Sequence, residues 1–137
     1  MSTLPDQVRA FLEEPRFAVL ATIGHDGLPQ QTVMWYDLDG DTIIMNSPST
    51  LVKIRNLQRD PRASLCVEDT VRFITLVGRC VLIDDPLVLE RENIRLAVRY
   101  QGQRRGSQRW ATILRSAEPR TAIHMRIDRV LTRGFPQ

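Results

Sequence analysis

The chain reads as a mainly β protein, a small six-stranded antiparallel barrel with a few helices outside it. Three observations predict this. Runs rich in β-branched and aromatic residues recur at 16–23, 30–36, 42–46, 62–68, 71–83 and 121–131. Short turns separate most of these runs, as antiparallel neighbours require and parallel crossovers do not allow. The order helix, three strands, helix, two strands, helix, strand suits a small barrel better than an open parallel sheet.

The elements follow in order. Residues 6–14 form a short helix, started by Pro5, with Val8, Phe11 and Leu12 on one face, and ended by Pro15. The first strand, 16–23, turns through Gly24, Asp26 and Gly27 into the second, 30–36. Leu38-Asp39-Gly40-Asp41 is the clearest hairpin signal and leads into the third strand at 42–46. Ser49 is placed to cap a helix running to about residue 58, with Leu51, Ile54 and Leu57 on one face and Lys53 and Asn56 on another. Asp60-Pro61 closes it. Strands 62–68 and 71–83 follow, the second with Gly78 inside it, which predicts a bulge or a close backbone approach. A helix at 86–100 precedes an arginine-rich segment, 101–118, helical in part around 108–116. The last strand, 121–131, puts Ile123, Met125 and Ile127 on one face and His124 and Arg126 on the other.

The 137 residues predict a single domain, 1–137, large enough to bury a core without disulfides or metals. An apolar fraction of 42% and a charged fraction of 26% are those of an ordinary globular protein, and no run approaches the length of a membrane span. The first residues carry neither a basic nor an apolar leader region, so a cytoplasmic location is expected. Cys66 and Cys80 read as small buried hydrophobes, and with His25 and His124 they have no metal-ligand spacing, so no metal is expected. A net charge of +3 with 6% aromatics and no recognisable module argues against nucleic-acid binding.

Nucleophile, phosphate-loop and dinucleotide glycine signatures are absent. The carboxylate pairs Glu13-Glu14 and Asp84-Asp85 sit at element ends and read as terminal charges. What stands out is Lys53, the one lysine among 19 basic residues, beside a helix start with serine and threonine. Unpaired N–H groups and a point-charge ammonium suit an anion there.

A longer pattern joins these residues. Phe17 to Thr22, Asp26-Gly27-Leu28-Pro29-Gln30, Thr32 to Tyr36, Asp39-Gly40-Asp41, Met45-Asn46-Ser47 and Lys53 to Leu65 resemble the pyridoxamine 5′-phosphate oxidase-like split β-barrel proteins. The strand around Thr75 to Cys80 and the closing strand extend the resemblance to residues 10–134. It is most similar to the branch that uses the deazaflavin coenzyme F-420. The resemblance implies an FMN-binding split-barrel type of fold, a homodimer, and two cofactor sites at the subunit interface. It implies that Gln31, Thr32, Val33, Met34 and Trp35 flank the ring system, with Met45, Asn46 and Ser47 beside it. Ser49, Thr50, Lys53 and Asn56 would face the phosphate and acidic tail. The partner subunit would close the site through strand 73–79, including Thr75, and the Trp110 region.

The function so implied is an oxidoreductase in which reduced F-420 passes a hydride to a small unsaturated or quinone-like substrate. The resemblance fixes no catalytic residue; Tyr36, His124 and Arg126 are the candidate proton donors. The alternatives are an FMN-binding flavoprotein, a non-enzymatic cofactor carrier and a haem-handling split barrel. The single lysine with neighbouring Arg55, where FMN-using members carry more arginine and serine contacts, favours the deazaflavin.

Overall fold

The computed structural model describes residues 4–136. In chain order the elements are α1 (Asp6–Glu13), β1 (Ala18–Ile23), β2 (Pro29–Met34), β3 (Asp37–Asp39), β4 (Thr42–Pro48), α2 (Val52–Arg59), β5 (Arg62–Glu68), β6 (Phe73–Ile83), α3 (Pro86–Gln101), α4 (Gln103–Ser116) and β7 (Arg120–Arg133). The strands form one antiparallel sheet in the order β2-β1-β5-β6-β7-β4-β3. The mainly β architecture with peripheral helices is the one expected. The strand count is seven rather than six, because Asp37–Asp39 pairs with β4 as a short strand before the Gly40 turn.

The ladder does not close. β2 and β3 lie at opposite ends of the sheet, and the chain passes from one to the other through Trp35 and Tyr36. This junction is pinned by tyrosines. Tyr36 is fully buried and its hydroxyl donates to the Leu12 carbonyl at 3.0 Å. The Tyr100 hydroxyl of α3 accepts from the Tyr36 amide at 3.1 Å and donates to the Arg16 carbonyl at 2.6 Å. Burial pushes the Tyr36 phenol up to about 12, against an opposing pull from Arg99.

Period-two alternation builds the core. Leu20, Leu65 and Leu76 stand opposite one another on adjacent strands and are all fully buried. Ile43, Met45, Ile123 and Met125 extend the same interior across β4 and β7. Helix α1 adds Val8, Phe11 and Leu12, and α2 adds Ile54 and Leu57. Each such side chain contributes about 1.5–3 kcal/mol by leaving water. Gly78 sits at a register shift between Val77 and Gly78, where a Cβ would lie 1.8 Å from the Arg126 carbonyl oxygen. The expected bulge and close approach are therefore one feature: β7 crosses where a side chain would stand.

Two local expectations change. Helix α2 starts at Val52 with Leu51 at its N-cap and no side-chain cap; the Ser49 hydroxyl instead meets the Thr121 hydroxyl at 2.7 Å. The arginine-rich segment is a full helix, α4, separated from α3 by Gly102 at φ 85°. Gly106 is buried where α4 meets α3, its Cβ position 2.6 Å from the Val98 amide nitrogen. Only glycine permits that approach. No helix among the described residues is long and apolar enough to cross a membrane.

Candidate functional site

One end of β4 and β7 meets the first turn of α2. Antiparallel register sets Ser47 opposite Thr121 and Pro48 opposite Arg120. Lys53, the second residue of α2, comes up beside them. Ser47, Pro48, Lys53 and Arg120, together with Trp35, Asn46 and Arg109, line a cavity of about 230 Å³. Val33 and Met34 of β2 and Leu96 of α3 give it apolar walls.

The electrostatics of this cavity are one-sided. Lys53 is only 5% exposed, and no hydrogen bond or ion pair reaches its ammonium among the described residues. Burial, aided by repulsion from Arg120, lowers its pKa from the ordinary lysine value. Arg120 is lowered as well, by burial first and then by repulsion from Arg109, with only Glu118 acting in its favour. The Arg120 Nε donates to Asn46 Oδ1 at 2.7 Å, which aims the side chain along the pocket wall. The Asn46 amide nitrogen is buried with no acceptor. Among the described residues, three cations and an unpartnered amide donor belong to this one cavity, and no carboxylate lines it. Such a lining suits an anionic group.

The residues expected around a ligand fall into three groups. Val33, Met34, Trp35, Asn46, Ser47 and Lys53 meet at the cavity. Ser49 and Thr50 lie at the chain bend before α2 but not on its lining; Ser49 is held by Thr121, and the Thr50 carbonyl accepts from Arg55 at 3.0 Å. Arg55 is exposed there and is not on the cavity lining.

The third group points elsewhere. Met45 is fully buried in the core. Asn56 is buried too, but its amide donates to Thr22 Oγ1 at 3.1 Å and its carbonyl accepts from Arg59 at 2.9 Å, so it ties α2 to β1. Thr32 sits at the β2 edge, accepting from Gln30 at 2.9 Å. Gln31 and Thr75 lie on the outer face of the sheet.

That outer face carries a row of aligned residues, Val33, Val19, Cys66, Thr75 and Leu131, one from each of five neighbouring strands. Val33 is 65% and Leu131 47% exposed. Val33 also lines the cavity, so the cavity opens onto this apolar face.

The candidate proton donors are accounted for otherwise. Tyr36 is sealed against α1. His124 Nε2 lies 2.7 Å from the buried carboxylate of Glu92, joining β7 to α3. Arg126 is exposed and pairs with Asp128 at 3.3 Å.

Five residues of the lining were not foreseen, Pro48, Asn93, Leu96, Arg109 and Arg120, of which the two arginines carry charge. Arg120 follows Pro119 at the start of β7, and only strand pairing brings it to Asn46. Arg109 lies among arginines whose common face is set by the α3–α4 packing.

Comparison with known proteins gives this site a setting. A curated relative from Mycobacterium tuberculosis (strain CDC 1551 / Oshkosh), an F420H(2)-dependent biliverdin reductase, is 28% identical over 130 residues, covering 93% of this chain and 87% of its own. A crystal structure of a conserved hypothetical protein from M. tuberculosis superposes with a TM-score of 0.82 at 25% identity, covering 99% of this chain and 91% of that one. A structure described as an F420 reductase shares the fold with a TM-score of 0.75 at 23% identity, over 93% and 98% of the two chains. The pyridoxamine 5′-phosphate oxidase family matches residues 4–134, nearly the whole length. The chain therefore belongs to the pyridoxamine 5′-phosphate oxidase family.

Proposed function

We propose that this protein is an oxidoreductase that binds the deazaflavin coenzyme F-420 and reduces a small, conjugated unsaturated or quinone-like acceptor. The observation that carries the reading is the buried, unpartnered Lys53 flanked by Arg120 and Arg109 in a cavity without a carboxylate. The named activity of the mycobacterial relative supports the choice of coenzyme and of a conjugated acceptor.

The residues present fit such a group. Lys53 and Arg120, with the orphaned Asn46 amide, would hold its phosphate. Val33, Met34 and Trp35 would flank its ring. When bound and reduced, the coenzyme supplies a hydride. The chain's own contribution is to fix the anionic tail, to exclude water with its apolar wall and to present the ring toward the open outer face. A second copy seated on the row from Val33 to Leu131 would close the cavity, so we also propose a homodimer with the sites at its interface. No side chain is assigned as acid or base.

The test is a titration with F-420 and with FMN, following ring fluorescence. Micromolar binding of F-420, tighter than that of FMN, supports the reading. Tighter FMN binding would favour a flavoprotein instead. Binding of neither would remove both.

A further inference from the structure

Trp35 closes one side of the cavity, and two groups lie against its ring. The indole stacks on Tyr100, ring centroids 5.0 Å apart and planes 10° from parallel. Tyr100 in turn stacks on Phe17 at 6.0 Å and 6°. Hydrogen bonds from the Tyr100 hydroxyl to the Arg16 and Tyr36 carbonyls hold this column in place. The indole is thus a fixed platform. The Arg109 guanidinium also lies over this ring, 4.9 Å from its centroid.

Arg109 is the least committed member of the cationic group. It is exposed, and among the described residues no hydrogen bond or ion pair holds its guanidinium, which rests on the indole. It repels Arg120 across the cavity. Its backbone is well placed to stay near while the side chain moves: Gly106, one turn earlier, locks α4 against α3. With no anion present, the indole is the most favourable neighbour available to this guanidinium. An anion beside Lys53 and Arg120 offers a stronger partner and cancels the repulsion.

We propose that Arg109 is a specificity latch. It covers the stacking face of Trp35 in the ligand-free protein and exchanges the indole for an anion held by Lys53 and Arg120. A flat ring then gains the Trp35 face only when it arrives with a phosphate or carboxylate. The pocket selects an aromatic ring carrying an anionic chain over the same ring alone. The inference rests on the anionic reading of the cavity given above and is independent of which coenzyme fills it.

Lumiflavin, an uncharged flat ring, and inorganic pyrophosphate serve as separate probes. In the wild type, saturating pyrophosphate should tighten lumiflavin binding about two- to fivefold, the fold-change that corresponds to one cation–π contact. In Arg109→Ala, lumiflavin alone should bind tighter than to the wild type by about the same factor, and pyrophosphate should add nothing. Arg109→Gln should behave alike, and both changes lie at an exposed helix position that does not threaten folding. Lys53→Ala should lose pyrophosphate binding and, with it, the tightening of lumiflavin by pyrophosphate. If pyrophosphate binds but the coupling persists in Arg109→Ala, or if that variant binds lumiflavin no better than the wild type, the latch is overturned and the anion site stands. If pyrophosphate binds none of the proteins, the anionic reading falls, and the latch with it.

Discussion

Replacing Lys53 by methionine sets stability against binding and gives each a definite sign. Lys53 is 5% exposed and has no hydrogen-bond or ion-pair partner among the described residues, so in the ligand-free protein its charge is a cost. Methionine fills nearly the same volume without that charge. Leaving a buried polar group unsatisfied costs about 1–3 kcal/mol, so the variant should gain on the order of 1–2 kcal/mol. For a domain of 137 residues, each kcal/mol corresponds to about 3–4 °C in Tm. Anion binding moves the other way: loss of one charged hydrogen bond, about 1.5–3 kcal/mol, should weaken pyrophosphate about ten- to a hundredfold.

The pH dependence follows from the same depressed pKa. The folded protein binds the Lys53 proton less readily than the unfolded chain does, so the penalty is fully present below the folded pKa. It fades as pH rises through the lowered folded value toward the ordinary 10.5. The Tm advantage of Lys53→Met should therefore be largest near neutrality and shrink at alkaline pH. Calorimetry across pH and isothermal titration with pyrophosphate measure both arms. A variant that is less stable than the wild type at pH 7, or that keeps the wild-type affinity, refutes the reasoning.

Four further outcomes are expected. Gly78→Ala puts a Cβ 1.8 Å from the Arg126 carbonyl oxygen and should cost about 3 kcal/mol or somewhat more in urea denaturation. Gly106→Val should separate α4 from α3, lowering stability by about 1–3 kcal/mol and weakening pyrophosphate binding through displaced Arg109. Tyr36→Phe should cost about 1 kcal/mol for the lost bond to Leu12; in the wild type, absorbance at alkaline pH should show one tyrosine ionising only near pH 12. Size-exclusion chromatography should give a mass near twice 15.7 kDa, and Thr75→Arg, in the middle of the apolar row, should give a folded monomer.

The fold was legible wherever a strand has one wet and one dry face. In β5, Ala63, Leu65 and Val67 alternate with Ser64 and Cys66, and the pattern alone assigns the inner face. The short strand Asp37–Asp39 has only one buried residue, Leu38, and cannot be told from its turn. At the site, Lys53 was visible because a lone lysine near a helix start is unusual. Asn56, three residues on, looked equivalent but is rotated far enough around α2 to reach Thr22. Arginines were the hard part. A run such as Arg104, Arg105 and Arg109 reads as a solvated face, and which member reaches a cavity depends on where Gly106 lets the helix dock. Arg120 lies 67 positions from Lys53 in the chain, and the two become neighbours only through the β4–β7 register.

That register has a consequence for biosynthesis. β7 is the last strand in chain order, yet it lies between β4 and β6 and supplies Arg120. Until it leaves the ribosome, the nascent chain holds two sheet fragments, β2-β1-β5-β6 and β4-β3, each with an unpaired edge where β7 belongs. The cavity lining is therefore completed late and together with the sheet, and a translation product that stops before residue 120 has neither. Such fragments present open edges to one another, which makes premature termination a route to aggregation rather than to a partly active protein.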